Sequence, residues 1–78
     1  ITGTVVDIRM VLKEALLANA TNIALAHNHP SGNLRPSRED DRLTDKVKQA
    51  AKLLDITLID HVIVTNDGYY SYQDEGRL

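Results

Sequence analysis

Two histidines and an aspartate lie close together in this sequence and belong to the residue types that bind transition metals. His27 and His29 flank a single asparagine, and Asp40 follows further along the chain. The apolar run at residues 22–26 predicts a buried strand, in which alternate side chains share a face, so both imidazoles are expected to point the same way. Two ring nitrogens and one carboxylate oxygen suit zinc. They leave a fourth position for water, which is typical of a catalytic site.

Asp40 also fits a purely structural role. Residues 37–40 open a long amphipathic stretch that predicts a helix, so the carboxylate lies in the first helical turn. Ser37 and Asp40 form the Ser-x-x-Asp pattern of a capping box, in which both side chains bond backbone N–H groups. The loop that joins the histidine-bearing strand to this helix contains Pro30 and Pro36. It lies between a strand end and a helix start, where open α/β sheets usually bind ligands. The spacing leaves both roles of Asp40 open.

The same residues resemble a known family. His-x-His, seven residues, Ser, two residues and Asp is similar to the metal-binding motif of the JAMM (JAB/MPN) zinc metalloproteases. The run His-Asn-His-Pro-Ser-Gly at residues 27–32, with Pro36 and Ser37, resembles the RadC branch in particular. The resemblance covers nearly the whole chain and implies one RadC-like domain over residues 1–78, an α/β fold of the JAB/MPN (cytidine-deaminase-like) type. Further similar segments are residues 3–5, 53–56, 58–64, 70–72 and 75–76.

The resemblance implies a zinc-dependent hydrolase of the metallopeptidase type. His27, His29 and Asp40 would bind Zn²⁺, and a water would fill the fourth position and attack a peptide or isopeptide carbonyl. Ser37 would hydrogen-bond that water or the developing oxyanion. The expected partner is therefore a peptide or protein substrate. Asn28 stands where deubiquitinating members carry Ser or Thr, which argues against a ubiquitin-specific enzyme.

The general base of the family is a glutamate on a strand upstream of the matched stretch. This chain begins at Ile1, without a Met, after the point where that glutamate would lie, so we expect an N-terminally truncated domain without the base. Glu14 is the acidic residue, other than Asp7, that precedes the histidines. Residues 7–18 predict a helix capped by Asp7, so Glu14 is expected to be a solvated helix residue and not a substitute base.

Two other functions remain open. The missing glutamate supports a catalytically inactive JAB/MPN module that recruits partners, among them DNA repair proteins. The hypothesis of a metal-dependent nuclease has weaker support, because the net charge is −2 and no Lys/Arg run is present to neutralise phosphates. We expect no direct nucleic-acid binding by this domain, and the sequence leaves homo-oligomerisation open.

Composition bounds the remaining possibilities. A chain of 78 residues makes one domain and buries only about 60% of its unfolded surface, so its core is thin. The absence of cysteine excludes disulfides, thiolate catalysis and cysteine-ligated zinc sites, and is compatible with a reducing cytoplasm. No apolar run approaches the length of a membrane span, so we expect a cytoplasmic protein without a membrane partner.

Strand and helix periodicities alternate and predict a mixed sheet in the order β-α-β-α-β-β. Strands are predicted at residues 1–6, 23–26, 58–65 and 69–72, the last two joined by a tight turn at 66–68. The helices are predicted to bury apolar stripes. The first stripe contains Val11, Ala15 and Ala18, with Leu12 and Leu16 beside it, and the second contains Leu43, Val47, Ala50, Ala51 and Leu54.

Asp60 and His61 offer a further carboxylate and imidazole. Neighbours in a strand face opposite sides, so both cannot reach one metal. Structural or supporting roles are therefore expected for the pair. Asp60 is expected to be an ordinary polar strand residue, and the alternative is that it orients a ligand histidine through the ring nitrogen that the metal does not use. The tyrosines of the last strand are expected to pack across strands and not to stack on bases. These are Tyr69, Tyr70 and Tyr72.

Overall fold

Helices and strands alternate along residues 7–78, the part of the chain that the computed structural model describes. The elements are α1 (Ile8–Leu17), β1 (Asn22–Asn28), α2 (Arg38–Leu53), β2 (Thr57–Thr65) and β3 (Gly68–Ser71). This order agrees with the predicted one from the first helix onward. The strand predicted at residues 1–6 lies outside the described residues.

The three strands form a mixed sheet in the order β1-β2-β3. β1 and β2 are parallel, and β2 and β3 are antiparallel. A parallel pair needs a crossover connection, and α2 supplies it. The predicted mixed α/β class is therefore confirmed. The topology brings the carboxyl end of β1 and the start of α2 to the same edge of the sheet.

Side-chain caps begin both helices. The Asp7 side chain accepts a hydrogen bond of 2.9 Å from the Arg9 N–H, and the Arg9 side chain and backbone N–H hold the pKa of Asp7 below its usual value. At α2, Ser37 is the N-cap and forms the predicted capping box with Asp40. Each cap satisfies backbone N–H groups that have no partner inside the helix.

Two small apolar clusters form the core between the helices and the sheet. They bury the helix residues Ala15, Val47 and Ala51, all of which the periodicity predicts. The clusters are completed by Leu25, Ile56 and Leu58. Neither helix among residues 7–78 has the length and apolarity that a membrane crossing requires.

The predicted burial is wrong at the margins of the core. Leu16 is 51% exposed because it lies about 100° around the helix from the buried Ala15. Ala18 and Leu54 follow the last residues of α1 and α2, where the chain leaves the helical path, and both are exposed. In β1 only Leu25 is buried, since β1 is an edge strand of the described sheet.

Candidate metal centre

The two histidines of the motif lie at the carboxyl end of β1. His27 is within the strand, and the backbone N–H of His29 still donates to the Val64 carbonyl at 3.0 Å. This bond extends the pairing with β2 beyond the end of β1, so His29 keeps the alternation of a strand. The Nε2 atoms of His27 and His29 lie 3.0 Å apart, as the prediction that they share a face requires.

Asp40 brings its carboxylate to both rings from the first turn of α2. Its Oδ1 lies 3.1 Å from His27 Nε2, and its Oδ2 lies 3.2 Å from His29 Nε2. The same Oδ2 accepts a hydrogen bond of 2.8 Å from the Ser37 N–H, and the Asp40 N–H donates to Ser37 Oγ at 3.1 Å. The two roles of Asp40 that the spacing left open therefore coexist, because the capping box holds the carboxylate in the orientation that meets the histidines.

The spacing of these three side chains suits a small tetrahedral ion. Ligand atoms at about 2.0–2.1 Å from a tetrahedral zinc lie about 3.3 Å from one another. Here the two Nε2 atoms lie 3.0 Å apart, His27 Nε2 lies 3.1 Å from Asp40 Oδ1, and His29 Nε2 lies 3.2 Å from Asp40 Oδ2. Within residues 7–78, the set His27, His29 and Asp40 is the group whose donor atoms could jointly hold a metal ion.

Hydrogen bonding on the far side of His29 determines which of its nitrogens carries the proton. His29 Nδ1 lies 2.7 Å from the carbonyl oxygen of Asn33. A carbonyl only accepts, so Nδ1 of the neutral ring carries the hydrogen and Nε2 keeps its lone pair. That lone pair points at His27 Nε2 and at a carboxylate oxygen. Three electron-rich atoms that converge in this way need a cation, or a proton, between them.

The charge states at neutral pH are those that bind metals. Burial lowers the pKa of His27, the nearby His29 lowers it further, and Asp40 opposes both effects. Burial by itself would raise the pKa of Asp40, but hydrogen bonds from Ser37 and the neighbouring histidines outweigh it and hold the pKa below its usual value. A neutral His27 imidazole and an ionised Asp40 carboxylate result, and these are the forms required of metal ligands.

Behind His27 lies a third imidazole, His61 of β2. His61 Nε2 lies 2.9 Å from His27 Nδ1, and His61 Nδ1 contacts the hydroxyl oxygen of Thr44. The ring stacks on Tyr72, with centroids 4.9 Å apart and planes 4° from parallel. Burial, followed by the proximity of His27, lowers the pKa of His61 to about 4, so the ring is neutral at physiological pH.

Asp60 makes structural hydrogen bonds and does not contact a ligand histidine through them. Its Oδ1 accepts from the backbone N–H groups of His61 and Gln73, at 2.7 and 3.1 Å, and its Oδ2 accepts from the Ser71 hydroxyl at 2.6 Å. These bonds fasten the segment after β3 to β2. Asp60 thus orients no ligand histidine through these contacts, and the contact with His27 is made by its neighbour His61 because adjacent strand residues face opposite ways.

Sequence reasoning missed Thr44 as a partner of the site, and it named His61 without identifying its contact with His27. Thr44 lies one helical turn after Asp40, a spacing that places both on one face of α2, and this signal could have found it. His61 had no such local signal. Its place behind His27 depends on the parallel register of β1 and β2, in which Leu25 pairs with His61 and His27 pairs with Ile63.

Tyr72 lies directly after β3 and packs against a side chain of β2, in agreement with the predicted cross-strand packing. It stacks on His61, meets Tyr70 edge-on at 5.5 Å and is buried. Its hydroxyl donates to Asp41 at 2.8 Å, and burial followed by this bond raises the pKa of Tyr72. Tyr69, by contrast, is 64% exposed. Tyr70 and Tyr72 thus pack as predicted and Tyr69 does not, and Tyr72 supports the His61 ring behind the metal centre.

An open cleft adjoins the candidate metal centre. The loop between β1 and α2 forms it, and its lining includes His29, Pro30, Arg35 and Ser37. Ser37 Oγ accepts from the Asp40 N–H, which leaves the hydroxyl hydrogen available for donation. A ligand in this cleft would therefore meet a hydroxyl donor beside His29.

A protein-family model described as the RadC-like JAB domain matches residues 1–77 of this chain. The chain belongs to the RadC-like JAB domain family. Among curated relatives, a UPF0758 protein of Flavobacterium johnsoniae is 50% identical over 97% of the chain, and one of Streptococcus gordonii is 47% identical over all of it. A UPF0758 protein of Thermotoga maritima is 47% identical over 90% of the chain. These matches cover 33%, 34% and 32% of the relatives, so the chain spans about one third of their length.

Glu14 of this RadC-like JAB domain lies away from the predicted chemistry. It is exposed on α1 and lines a groove with Met10, Ala18 and Ala24. The group that could hold a metal is instead formed by the end of β1 and the start of α2. This placement agrees with the expectation that Glu14 is a solvated helix residue.

Proposed function

We propose that this RadC-like JAB domain carries a zinc-dependent hydrolase site of the metallopeptidase type, acting on a peptide or isopeptide carbonyl. The observation that carries the proposal is the convergence of two histidine nitrogens 3.0 Å apart, each of which lies 3.1 or 3.2 Å from one oxygen of the Asp40 carboxylate. His27, His29 and Asp40 would hold the ion. Such an ion supplies Lewis-acid polarisation of a carbonyl and lowers the pKa of water to about 7.

The protein side chains have separate tasks in this proposal. Asp40 adds the negative charge that attracts a divalent cation, and the capping box holds its carboxylate in place. Ser37 keeps its hydroxyl hydrogen free and would donate it to the attacking water or to the oxyanion of the substrate. The cleft beside His29 would receive the scissile region of a peptide or protein partner.

General base catalysis needs a further carboxylate within hydrogen-bond reach of the nucleophilic water. The resemblance places that glutamate on a strand preceding the matched stretch. Since the chain spans about one third of its curated relatives, the activity of a whole protein is itself part of the proposal. We propose that catalysis requires such a strand in addition to residues 1–78.

The environment and other partners of the domain are also proposals. The absence of cysteine supports a cytoplasmic location, and the net charge of −2 supports a domain that does not bind nucleic acid directly. Homo-oligomerisation of the chain can be tested by measuring its molar mass in solution by light scattering.

A zinc titration tests the metal site directly. We expect residues 1–78 to bind about one equivalent, with nitrogen ligands at about 2.0–2.1 Å and one carboxylate oxygen in an X-ray absorption spectrum. His27→Ala and His29→Ala should each abolish stoichiometric binding. Glu39→Gln removes an exposed charge from the same helical turn as Asp40 and is the matched control. Unchanged stoichiometry and affinity in both histidine variants would show that the ligand assignment is wrong.

Activity separates the hydrolase from a partner-recruiting module. We expect residues 1–78 to bind zinc but to hydrolyse peptides poorly. A version extended by the glutamate-bearing strand of the family should gain about 10²–10⁴-fold in turnover, and changing that glutamate to glutamine should remove the gain. An extended protein that binds zinc but cleaves no peptide or isopeptide would favour the inactive module.

A further inference from the structure

We propose that His61 and Thr44 form a buried relay that holds His27 in the tautomer whose Nε2 presents a lone pair to the metal. His61 is thus a positioning residue, and Thr44 determines the direction of its hydrogen bonds. This inference rests on the proposed zinc site, since it concerns how the protein prepares one of the ligands. Three contacts, taken in order from α2, carry it.

The relay begins at the backbone of α2. The Thr44 hydroxyl donates to the Asp40 carbonyl oxygen at 2.7 Å. A backbone carbonyl has no hydrogen to give, so the hydroxyl hydrogen is used in this bond. The Thr44 oxygen, which also contacts His61 Nδ1, can then only accept in that second contact. His61 must therefore carry its hydrogen on Nδ1.

A neutral imidazole carries one hydrogen, so His61 Nε2 keeps a lone pair. That atom lies 2.9 Å from His27 Nδ1 and accepts the hydrogen of His27. His27 Nε2 is then unprotonated and faces His29 and Asp40. The backbone carbonyl of Asp40 thus sets the tautomer of the ring that meets its own carboxylate.

The same atoms allow one competing order. If the Thr44 hydroxyl turned to His61 Nδ1, His61 Nε2 would donate to His27 Nδ1. His27 Nε2 would then carry a hydrogen and donate it to Asp40 Oδ1, 3.1 Å away. Both orders contain the same number of hydrogens and no additional charge, but only the first leaves His27 able to bind a metal. The bond from Thr44 to the Asp40 carbonyl favours the metal-binding order.

Because His61 and Thr44 are buried, their polar atoms depend on one another for hydrogen bonds. His61 is 1% exposed and Thr44 is 4% exposed, and within residues 7–78 no buried side-chain nitrogen or oxygen lacks a partner. A buried polar group that loses its partner carries a free-energy penalty, since water does not replace the bond. Tyr72 stacks on the His61 ring and fixes its plane. The relay is therefore rigid as well as directional.

Two substitutions at His61 distinguish hydrogen bonding from packing. His61→Phe keeps a ring against Tyr72 but removes the acceptor, and should weaken zinc binding by about 10–100-fold, the usual effect of losing a partner behind a metal ligand. His61→Gln places an amide oxygen near the former Nε2 and should restore most of the affinity. Zinc affinity is measured by competition with a chromophoric chelator.

Thr44→Val removes the hydroxyl at almost unchanged volume and provides a second, independent variant. It should also weaken zinc binding by about 10–100-fold. Imidazole ¹⁵N shifts of the metal-free protein should show His27 and His61 protonated on Nδ1 in the wild type, and on Nε2 in a larger share of Thr44→Val molecules. Ser71→Ala, a buried change on β3 that touches Asp60, is the control and should leave both readouts unchanged.

The relay and the zinc site fail in different ways. A wild-type domain that bound no zinc would overturn the proposed function, while the ¹⁵N shifts of its metal-free form would still report the relay. A wild-type domain that bound zinc, with Thr44→Val and a folded His61→Phe of equal affinity, would overturn the relay alone. Protonation of His27 on Nε2 in the metal-free wild type would also overturn it.

Discussion

At the scale of single residues, the centre depends on a carboxylate that serves two purposes. Asp40 closes the capping box through Oδ2, and both its oxygens lie within 3.2 Å of a histidine nitrogen. The helix start would be stable with either an acid or an amide at this position, whereas a divalent cation favours the charged oxygen. Charge and hydrogen-bonding capacity can therefore be separated by one substitution.

Asp40→Asn should weaken zinc binding by at least about tenfold, because it removes the negative ligand and leaves an amide of the same size. The free energy of unfolding of the metal-free protein should fall by about 1 kcal/mol or less. Ser37 remains the N-cap, and the amide oxygen of Asn can still accept from the Ser37 N–H. Chelator competition and urea unfolding give the two values. If zinc affinity did not change, Asp40 would be a capping residue only.

At the scale of elements, hydrogen bonds and an ion pair outside the regular strand pairing hold the end of β1 and the segment after β3. His29 continues β1 by pairing with Val64, and Asp60 ties the segment after β3 to β2. Arg77 reaches back to α2, where it pairs with Asp41 at 2.9 Å. The hydrogen bonds of Asp60 hold the chain segment around Tyr72, and Tyr72 in turn lies behind His61. Asp60 makes none of these bonds to the metal-binding atoms.

Asp60→Ala should lower the free energy of unfolding by about 1–3 kcal/mol, because the Ser71 hydroxyl and two backbone N–H groups lose their acceptor. Zinc affinity should stay close to that of the wild type, because His27 is oriented by His61. Asp67→Ala, in the exposed turn between β2 and β3, is the control and should leave both measurements unchanged. A large loss of zinc affinity in Asp60→Ala, with little loss of stability, would return the orienting role to Asp60.

At the scale of the whole molecule, one of the three imidazoles, that of His61, is fully buried behind the candidate metal centre. His61 lies between the sheet and α2 beside the apolar cluster of Leu25, Val47 and Leu58. Charging this ring inside the fold costs free energy, because burial and the neighbouring His27 both disfavour the cation. The stability of the metal-free domain should therefore depend on pH.

His61 has a folded-state pKa of about 4, compared with an ordinary value of 6.5. As the pH falls below 6.5 the unfolded chain takes up the proton first, so stability is complete above that pH and declines toward pH 4. The expected loss is about 3 kcal/mol, at about 1.36 kcal/mol per unit of pKa shift. Thermal unfolding between pH 7.5 and 4.5, in the presence of a chelator that keeps the protein metal-free, measures this loss of stability. His61→Phe should flatten the decline, and a wild-type curve as flat as that of the variant would contradict the role of His61.

Local sequence determined most of the elements and the first part of the site. Strand alternation places His27 and His29 on one face, and the Ser-x-x-Asp spacing places Asp40 in the first turn of a helix. Alternation and capping depend on neighbours a few residues apart, so they can be read directly from the chain.

The tertiary structure decided what lies behind and around the ligands. His61 reaches His27 across 34 positions through a parallel register, and Thr44 meets His61 only because α2 packs on β2. The exposure of Leu16, Ala18 and Leu54 likewise depends on where helices end and what covers them. A strand register and a helix docking position minimise free energy over many weak contacts at once, and for that reason no short stretch of sequence determines them.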